Sequence, residues 1–316
     1  MVDYSIGVDL GGTNLRAAAI TGAGEVLAKI AGTTNLSEGR HKVLEDMVNS
    51  VCKLRDQFGP KQLAGIGIGV PGFIVLETGT IVGSNNLAVF DGAPIRDEIE
   101  QRLGVPVCLE NDANAAALGE KWIGAGREVD DLVLITLGTG VGGGIIFGGK
   151  ILHGKVGMAG ELGHMTVVPN GYPCGCGNRG CLEKHASATA ITCMAKLLQL
   201  GSEMTAKDVY DLALSGNQKA VMIFESMGEA LGIALASLIN IFNFPLYLLS
   251  GGPLASWDLF APTMIAEIRK RSFTYRNDQT RIEKAMLGNQ AGLFGAAYLG
   301  FEAASLRSTA LASTTA

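Results

Sequence analysis

Short apolar stretches separated by glycine turns dominate the first third of the chain. "YSIGVDL" (residues 4–10) predicts a strand and "GGTN" a turn; "LRAAAIT" and "EVLAKIAGTT" predict two more strands joined at "GAGE". Helical spacing follows over 38–58, where Val43, Met47, Val51, Leu54 and Phe58 share one side. "AGIGIGVPG" reads as strand and turn, "APIRDEIEQRLG" as a helix stopped by glycine, "VPVCLEND" as a strand and "ANAAALGEKWIGAG" as a helix. A similar order then starts again. "DLVLITLGTGVGGGIIFGGKIL" predicts strand, glycine turn and strand, followed by helices near 186–200 and 205–215. A long apolar helix (225–243), the strand in "LYLLSGG", a helix over 260–270 and the C-terminal helix "AGLFGAAYLGFEAA" complete the second series, with "STALASTTA" as a frayed tail. The pattern predicts two α/β lobes on related plans with a cleft between them.

One segment raises a different possibility, because Ala230 to Trp257 carries no charged residue. A membrane span is the sharp reading. Asn240, Asn243 and Pro245 argue against it and divide the run into a buried helix and a buried strand (246–249). At 316 residues the chain is long enough for two cores. The start, "MVDYSIGVDL", shows no basic region or long apolar core of a signal peptide, so a soluble, cytoplasmic protein with reduced thiols is expected. A net charge of −5 gives no global attraction to nucleic acid or anionic membranes. The local basic group Arg269, Lys270, Arg271, Arg276 and Arg281 reads as a solvated helix face and loop.

Glycine is abundant, at 44 residues, and much of it follows apolar runs, which predicts strand-to-turn phosphate loops. Three such junctions occur: "VDLGGTN" (8–14), "ITLGTGVGGG" (135–144) and "LLSGG" (248–252). Without a Cβ in the way, backbone amides can converge on a polyphosphate. None has the P-loop or dinucleotide spacing, and glycine in a tight hairpin is the alternative for each. Asp9, beside the first turn, is a candidate for holding a magnesium-bound water, and Thr13 for donating to phosphate oxygens.

"LENDANAAALGE" places Glu110, Asn111 and Asp112 where a strand gives way to a helix. Asn and Asp there can serve as N-caps. Alternatively Asp112 takes the proton of a substrate hydroxyl as that oxygen attacks a γ-phosphoryl group. The residue types alone leave both open.

Three of the six cysteines and one of the four histidines lie in "ELGHMTVVPNGYPCGCGNRGCLEKH" (161–185). His164, Cys174, Cys176 and Cys181 supply four ligands, enough for one closed tetrahedral zinc site of structural type. The turns "NGYP" and "GNRG" let the segment bend back on one ion, whose binding replaces a missing apolar core. A disulfide is the rival reading. Glu161 and Glu183 flank the loop and suit vicinal sugar hydroxyls, with solvated surface glutamates as the plain alternative. If one His164 nitrogen binds the ion, the other is placed to face a substrate oxygen.

"DLGGTN", "ENDANAAALGE", "LGTGVGGGI", "GELGH" and "CGCGNRGCLEKHAS" stand in the order found in the ROK family of repressors and sugar kinases. The chain resembles that family from residue 5 to about 300, most closely its bacterial ATP-dependent glucokinases. The cysteine signature with its GELGH partner is highly specific, whereas the DxGGT turn is shared with other sugar kinases, actin and Hsp70-type ATPases. The resemblance implies a two-lobed actin-like ATPase (ribonuclease H-like) fold, with 1–112 plus about 289–316 as the small lobe and 113–288 as the large one. It implies Asp112 as general base, and Asn86, Asn111, Asp112, Glu161, His164 and Glu183 against sugar hydroxyls. It places Asp9, Gly11, Gly12, Thr13, Asn14, Thr139 and Gly140 at magnesium and phosphates, and Gly251 and Gly252 near adenosine. ATP, Mg2+ and a structural Zn2+ are the implied cofactors, and a homodimer or homotetramer the implied assembly. One departure concerns the sugar pocket: Phe90 stands in "NLAVFDGAPI", where glucokinases of this family often carry tryptophan.

The first expected activity is phosphorylation of D-glucose to glucose 6-phosphate. The same chemistry on mannose, fructose, N-acetylmannosamine or N-acetylglucosamine is the alternative. A sugar-responsive repressor is a third reading; such proteins carry a helix-turn-helix ahead of the first lobe, whereas here a strand is predicted from residue 4. An actin-like scaffold leaves Glu161, Glu183 and Asp112 unexplained.

Overall fold

The computed structural model describes residues 3–84, 87–276 and 278–314. Packing groups them into two compact units, the first from Met1–Asp130, Gly144–Ala159 and Asn289–Ala316, the second from Asp131–Gly143 and Gly160–Gly288. In chain order the first unit carries β1 (Tyr4–Leu10), β2 (Asn14–Thr21), β3 (Val26–Thr33), α1 (Arg40–Phe58), β4 (Leu63–Val70), β5 (Phe73–Val75), β6 (Thr80–Gly83), α2 (Ile95–Leu103), β7 (Val107–Asn111) and α3 (Asp112–Ile123). β8 (Leu132–Leu137) begins the second unit, β9 (Val141–Phe147) runs through the division, and β10 (Lys150–Ile151) is again in the first. The second unit continues with α4 (Glu183–Ala186), α5 (Ala188–Leu197), α6 (Ala206–Leu214), α7 (Gln218–Phe242), β11 (Leu246–Gly251), α8 (Trp257–Arg271) and β12 (Arg281–Lys284). α9 (Ala291–Thr314) returns to the first.

The first sheet has the order β3-β2-β1-β4-β7, antiparallel over the three opening strands and parallel from β1 through β4 to β7. Register pairs Asp9 with Gly69 and Gly69 with Glu110, so Asp9 and Glu110 lie level at the same end of the sheet. Two strand spacings separate them, about 10 Å. α1 buries Val43, Leu44, Met47, Val51 and Leu54 as its spacing predicts, and α2 stops at Gly104 in the left-handed conformation (φ 69°).

α9 lies so close to this sheet and to α3 that glycine is required at the contacts. A Cβ on Gly67 would fall 1.8 Å from the Ala296 carbonyl oxygen, and one on Gly295 only 1.6 Å from that of Ala115. These glycines, which lie outside the three strand-to-turn junctions, serve backbone packing. The same packing moves the division between units. A Cβ on Gly119 would meet the Ala291 carbonyl at 2.2 Å, so α3, expected in the second lobe, packs with α9 in the first unit, which also includes Gly144–Ala159.

The second sheet has the order β10-β9-β8-β11-β12, with β8, β11 and β12 mutually parallel. α7 passes a length-and-composition test for a membrane span, but 67% of its apolar window is buried, and it packs on α4, α5, α6 and α8. It starts earlier than expected because Asn217 caps it, accepting from the Ala220 N–H. α8 also starts earlier, and α9 runs to Thr314 where a loose tail was expected. The short strands β5, β6 and β12 escaped prediction; β12 ("RIEK") has too few apolar positions to reveal a strand. Lys270 and Arg271 pair with Glu267 on the exposed side of α8, as a solvated face requires.

Candidate active site

In the first unit the β7–α3 junction settles which residue caps the helix. Asn111 takes that role: its Oδ1 accepts from the N–H groups of Ala113 (2.9 Å) and Asn114 (3.2 Å), and its Nδ2 donates to the Gly72 carbonyl (3.3 Å). Asp112 is the first helical residue, at the electropositive end of α3, and its Oδ1 accepts from Ala113 N–H at 2.8 Å. A Cβ on Gly292, at the start of α9, would lie 3.7 Å from Asp9 Oδ2 and 3.8 Å from the Asp112 carbonyl oxygen. The ends of β1 and β7 and the start of α9 thus bring both aspartates to one place.

Asp9 forms an ion pair with Arg16, whose Nη1 also donates to the Asn289 carbonyl at 2.6 Å. Burial raises the Asp9 pKa, and the Arg16 charge and hydrogen bond oppose it. The β1–β2 turn is closed by Gly11 N–H to the Asn14 carbonyl (2.8 Å), leaving Thr13 and Asn14 exposed. Asn86 lies outside the described residues. Phe90, expected in the sugar-pocket wall, is fully buried in the hydrophobic core and presents no accessible surface.

Sequence reasoning missed two partners here. Arg16 is one; the other is His153, whose Nε2 lies 2.6 Å from Oε2 of Glu110, itself only 3% exposed. No local motif marks His153, and only the fold brings it to a residue 43 positions away.

In the second unit the four predicted metal ligands converge. One ligand atom each from His164, Cys174, Cys176 and Cys181 all lie within 4.8 Å of one another. His164 Nδ1 is 3.6 Å from Cys174 Sγ, and Cys176 Sγ is 3.7 Å from Cys181 Sγ. All six cysteines are free, so the disulfide alternative falls. Small backbone bridges pair Thr166 with Cys181 and Pro173 with Arg179, folding the loop back on itself. Burial, with the neighbouring Cys176 and Cys174 thiols adding, pushes Cys181 up to about 12, whereas the Asn178 backbone amide lowers Cys176. This donor set suits a tetrahedral Zn2+, which favours thiolates and leaves no open position.

His164 turns its second nitrogen toward an acid: Nε2 lies 3.8 Å from Glu161 Oε2. A ligating histidine oriented by a carboxylate is a common arrangement around zinc. Burial raises the Glu161 pKa; His164 opposes and Glu183 adds. Glu183 Oε2 accepts from Val141 N–H at 3.2 Å, and its Oε1 is 3.6 Å from Lys184 Nζ. Glu161, His164 and Glu183 therefore form one group beside the cysteine cluster.

Gly140 packs against that group: a Cβ on it would fall 2.4 Å from Glu183 Oε2. The Thr139 carbonyl accepts from Thr189 Oγ1 (2.7 Å) and the Gly138 carbonyl from Ala188 N–H (2.8 Å). Parallel pairing of Leu137 with Gly251 puts this turn and the Gly251–Gly252 turn at one end of the sheet. Beside them lies a cavity of about 310 Å³ lined by Ile191, Thr205, Tyr210, Phe224, Gly252 and Ser256, among others.

The ROK family model matches residues 5–302. The chain is 40% identical to the glucokinase of Halalkalibacterium halodurans, with 94% of each chain covered. It is also 34% identical to the xylose repressor of Caldicellulosiruptor bescii, over 92% of this chain and 76% of that protein. Among solved structures, a ROK family glucokinase from Streptomyces griseus in complex with glucose and AMPPNP superposes with a TM-score of 0.78 at 33% identity, covering 95% of this chain and 99% of the other. The two α/β units are those of the actin-like fold.

Proposed function

This chain belongs to the ROK family, and we propose that it transfers the γ-phosphoryl group of ATP to the 6-hydroxyl of D-glucose. ATP-dependent sugar phosphorylation is its class of reaction. The finer assignment to glucose is carried by the 40% identity to a glucokinase over 94% of both chains.

Asp112 acts as general base. As the C6 oxygen forms its bond to the γ-phosphorus, the bridging P–O bond to the β-phosphate breaks, ADP departs, and the hydroxyl proton passes to the Asp112 carboxylate. Asn111, Glu161, His164 and Glu183 accept from or donate to the sugar hydroxyls, and with them Asn86. The Gly11–Asn14 and Thr139–Gly140 turns receive phosphate oxygens. The cavity beside Gly251 and Gly252 takes the adenosine, its half-buried Tyr210 offering aromatic surface to the base. Mg2+ bound with ATP would neutralise charge on the phosphates, and Asp9, which pairs with Arg16, would hold a water of its shell. His164, Cys174, Cys176 and Cys181 would hold a Zn2+ that fixes the loop between the two glutamates. Reduced thiols at this site suit a cytoplasmic enzyme.

The test is a coupled assay across glucose, mannose, fructose and the N-acetylhexosamines, with Asp112→Ala beside wild type. Glucose is expected to give the highest kcat/KM, and Asp112→Ala to lower kcat at least about 100-fold while sugar binding persists. A preference for an N-acetylhexosamine would move the substrate assignment. Sugar binding without turnover on any hexose would favour a regulator, the reading that the xylose repressor's similarity supports.

A further inference from the structure

We propose that His153 and Glu110 are positioning residues that hold the Asn111–Asp112 turn, and so the general base, from behind. The proposal rests on the reading of Asp112 given above. Glu110, next to last in β7, is almost wholly buried, where a carboxylate needs partners for both oxygens. Oε1 accepts from the backbone N–H of Asn111 at 2.8 Å and from Nδ2 of Asn114 at 3.0 Å. One oxygen thus bridges the residue before Asp112 and the second residue after it. Oε2 is held by His153 Nε2 at 2.6 Å. The imidazole anchors one side of the carboxylate, and the other side anchors the backbone around the base.

The His153 side chain is 34% exposed, so it exchanges protons with solvent. It lines a cavity of about 550 Å³ in the first unit, together with Glu110, Cys108, Lys150, Glu302, Glu100 and Arg96. These are the titratable and charged groups facing the pair, from β7, β10, α9 and α2. The hydrogen bond to Glu110 raises the His153 pKa, burial opposes it, and the charges of Glu110 and Glu302 add. His153 is therefore fully protonated below the ordinary imidazole value, about 6.5. As pH rises through the raised value the ring loses its proton and the bond its charge assistance. The hold on the turn therefore slackens as pH rises through the raised His153 value into the alkaline range.

The experiment compares kcat, both KM values, melting temperature and pH profile for His153→Phe, His153→Gln, Glu110→Gln and Asp112→Ala. Displacing a reacting group lowers turnover, so His153→Phe is expected to lose about tenfold or more in kcat. The KM for ATP should stay within about twofold, because the loss falls on the base and not on the nucleotide. His153→Gln keeps a donor that does not titrate. It should recover most of that loss and flatten the alkaline decline of kcat. Wild-type kcat and alkaline decline in a stably folded His153→Phe would overturn the proposal. So would a lowered melting temperature with unchanged kcat per folded molecule. Should Glu110→Gln fail to fold, the two His153 variants carry the test. Turnover surviving in Asp112→Ala would remove the general-base reading itself; an inactive Asp112→Ala beside an unaffected His153→Phe would remove only this inference.

Discussion

Gly140 lies directly against the Glu183 carboxylate. A Cβ there would come within 2.4 Å of Oε2, the same oxygen that accepts from Val141 N–H at 3.2 Å. The glycine turn after β8 and the acid beside the cysteine loop are one packing unit, although 42 residues separate Val141 from Glu183.

Gly140→Ala should therefore displace the Glu183 carboxylate with little effect on melting temperature, because the far end of a flexible side chain absorbs the clash. Losing one charge-assisted hydrogen bond to the sugar corresponds to about a tenfold rise in sugar KM. Steady-state kinetics with each substrate varied in turn checks this. A rise confined to the KM for ATP would show that the turn serves the phosphates alone and that its contact with Glu183 does not reach the sugar.

Purified wild type should contain about one zinc per chain, the stoichiometry of a closed four-ligand site. Cys176→Ser should lower that content and raise the sugar KM, since the loop bearing Glu161 and Glu183 loses its anchor. Elemental analysis beside kinetics decides it, and wild type free of metal at full activity would count against a structural zinc.

Gly295→Ala should destabilise the first unit, because its Cβ would lie 1.6 Å from a backbone oxygen that α3 cannot withdraw. Overpacking of this kind costs about 1–3 kcal/mol, and a contact between two helix backbones belongs at the upper end. Gly22→Ala, with no atom within 4 Å of its Cβ, is the control expected to leave the urea midpoint nearly unchanged.

The His153–Glu110 pair should also mark the pH dependence of stability. A histidine whose folded pKa is raised contributes fully below the unfolded value, about 6.5, and its contribution fades as pH rises through the folded value. The difference in urea midpoint between wild type and His153→Gln should be largest at mildly acidic pH and shrink toward alkaline pH. A difference independent of pH would show that His153 is not charged in the pair.

What the sequence determined by itself is the chemistry that depends on local spacing. The cysteine loop could be read because its four candidate ligands fall between 164 and 181, and turns of Gly, Pro and Asn dictate a chain that bends back on itself and brings them together. The strand-to-helix junction at 110–112 was equally visible, since alternation, an Asn–Asp pair and an alanine run mark strand, cap and helix within a few residues. The tertiary structure decided whatever depends on two distant segments meeting. It placed Asn111 rather than Asp112 as the cap, paired Asp9 with Arg16, and brought His153 to Glu110. It also gave much of the glycine a different purpose, because only the approach of α9 to β4 and α3 shows that Gly67 and Gly295 leave no room for a methyl group. The physical reason is the same in each case: spacing along a chain encodes periodicity and turn geometry, whereas hydrogen bonding and excluded volume between remote segments exist only once the chain has folded.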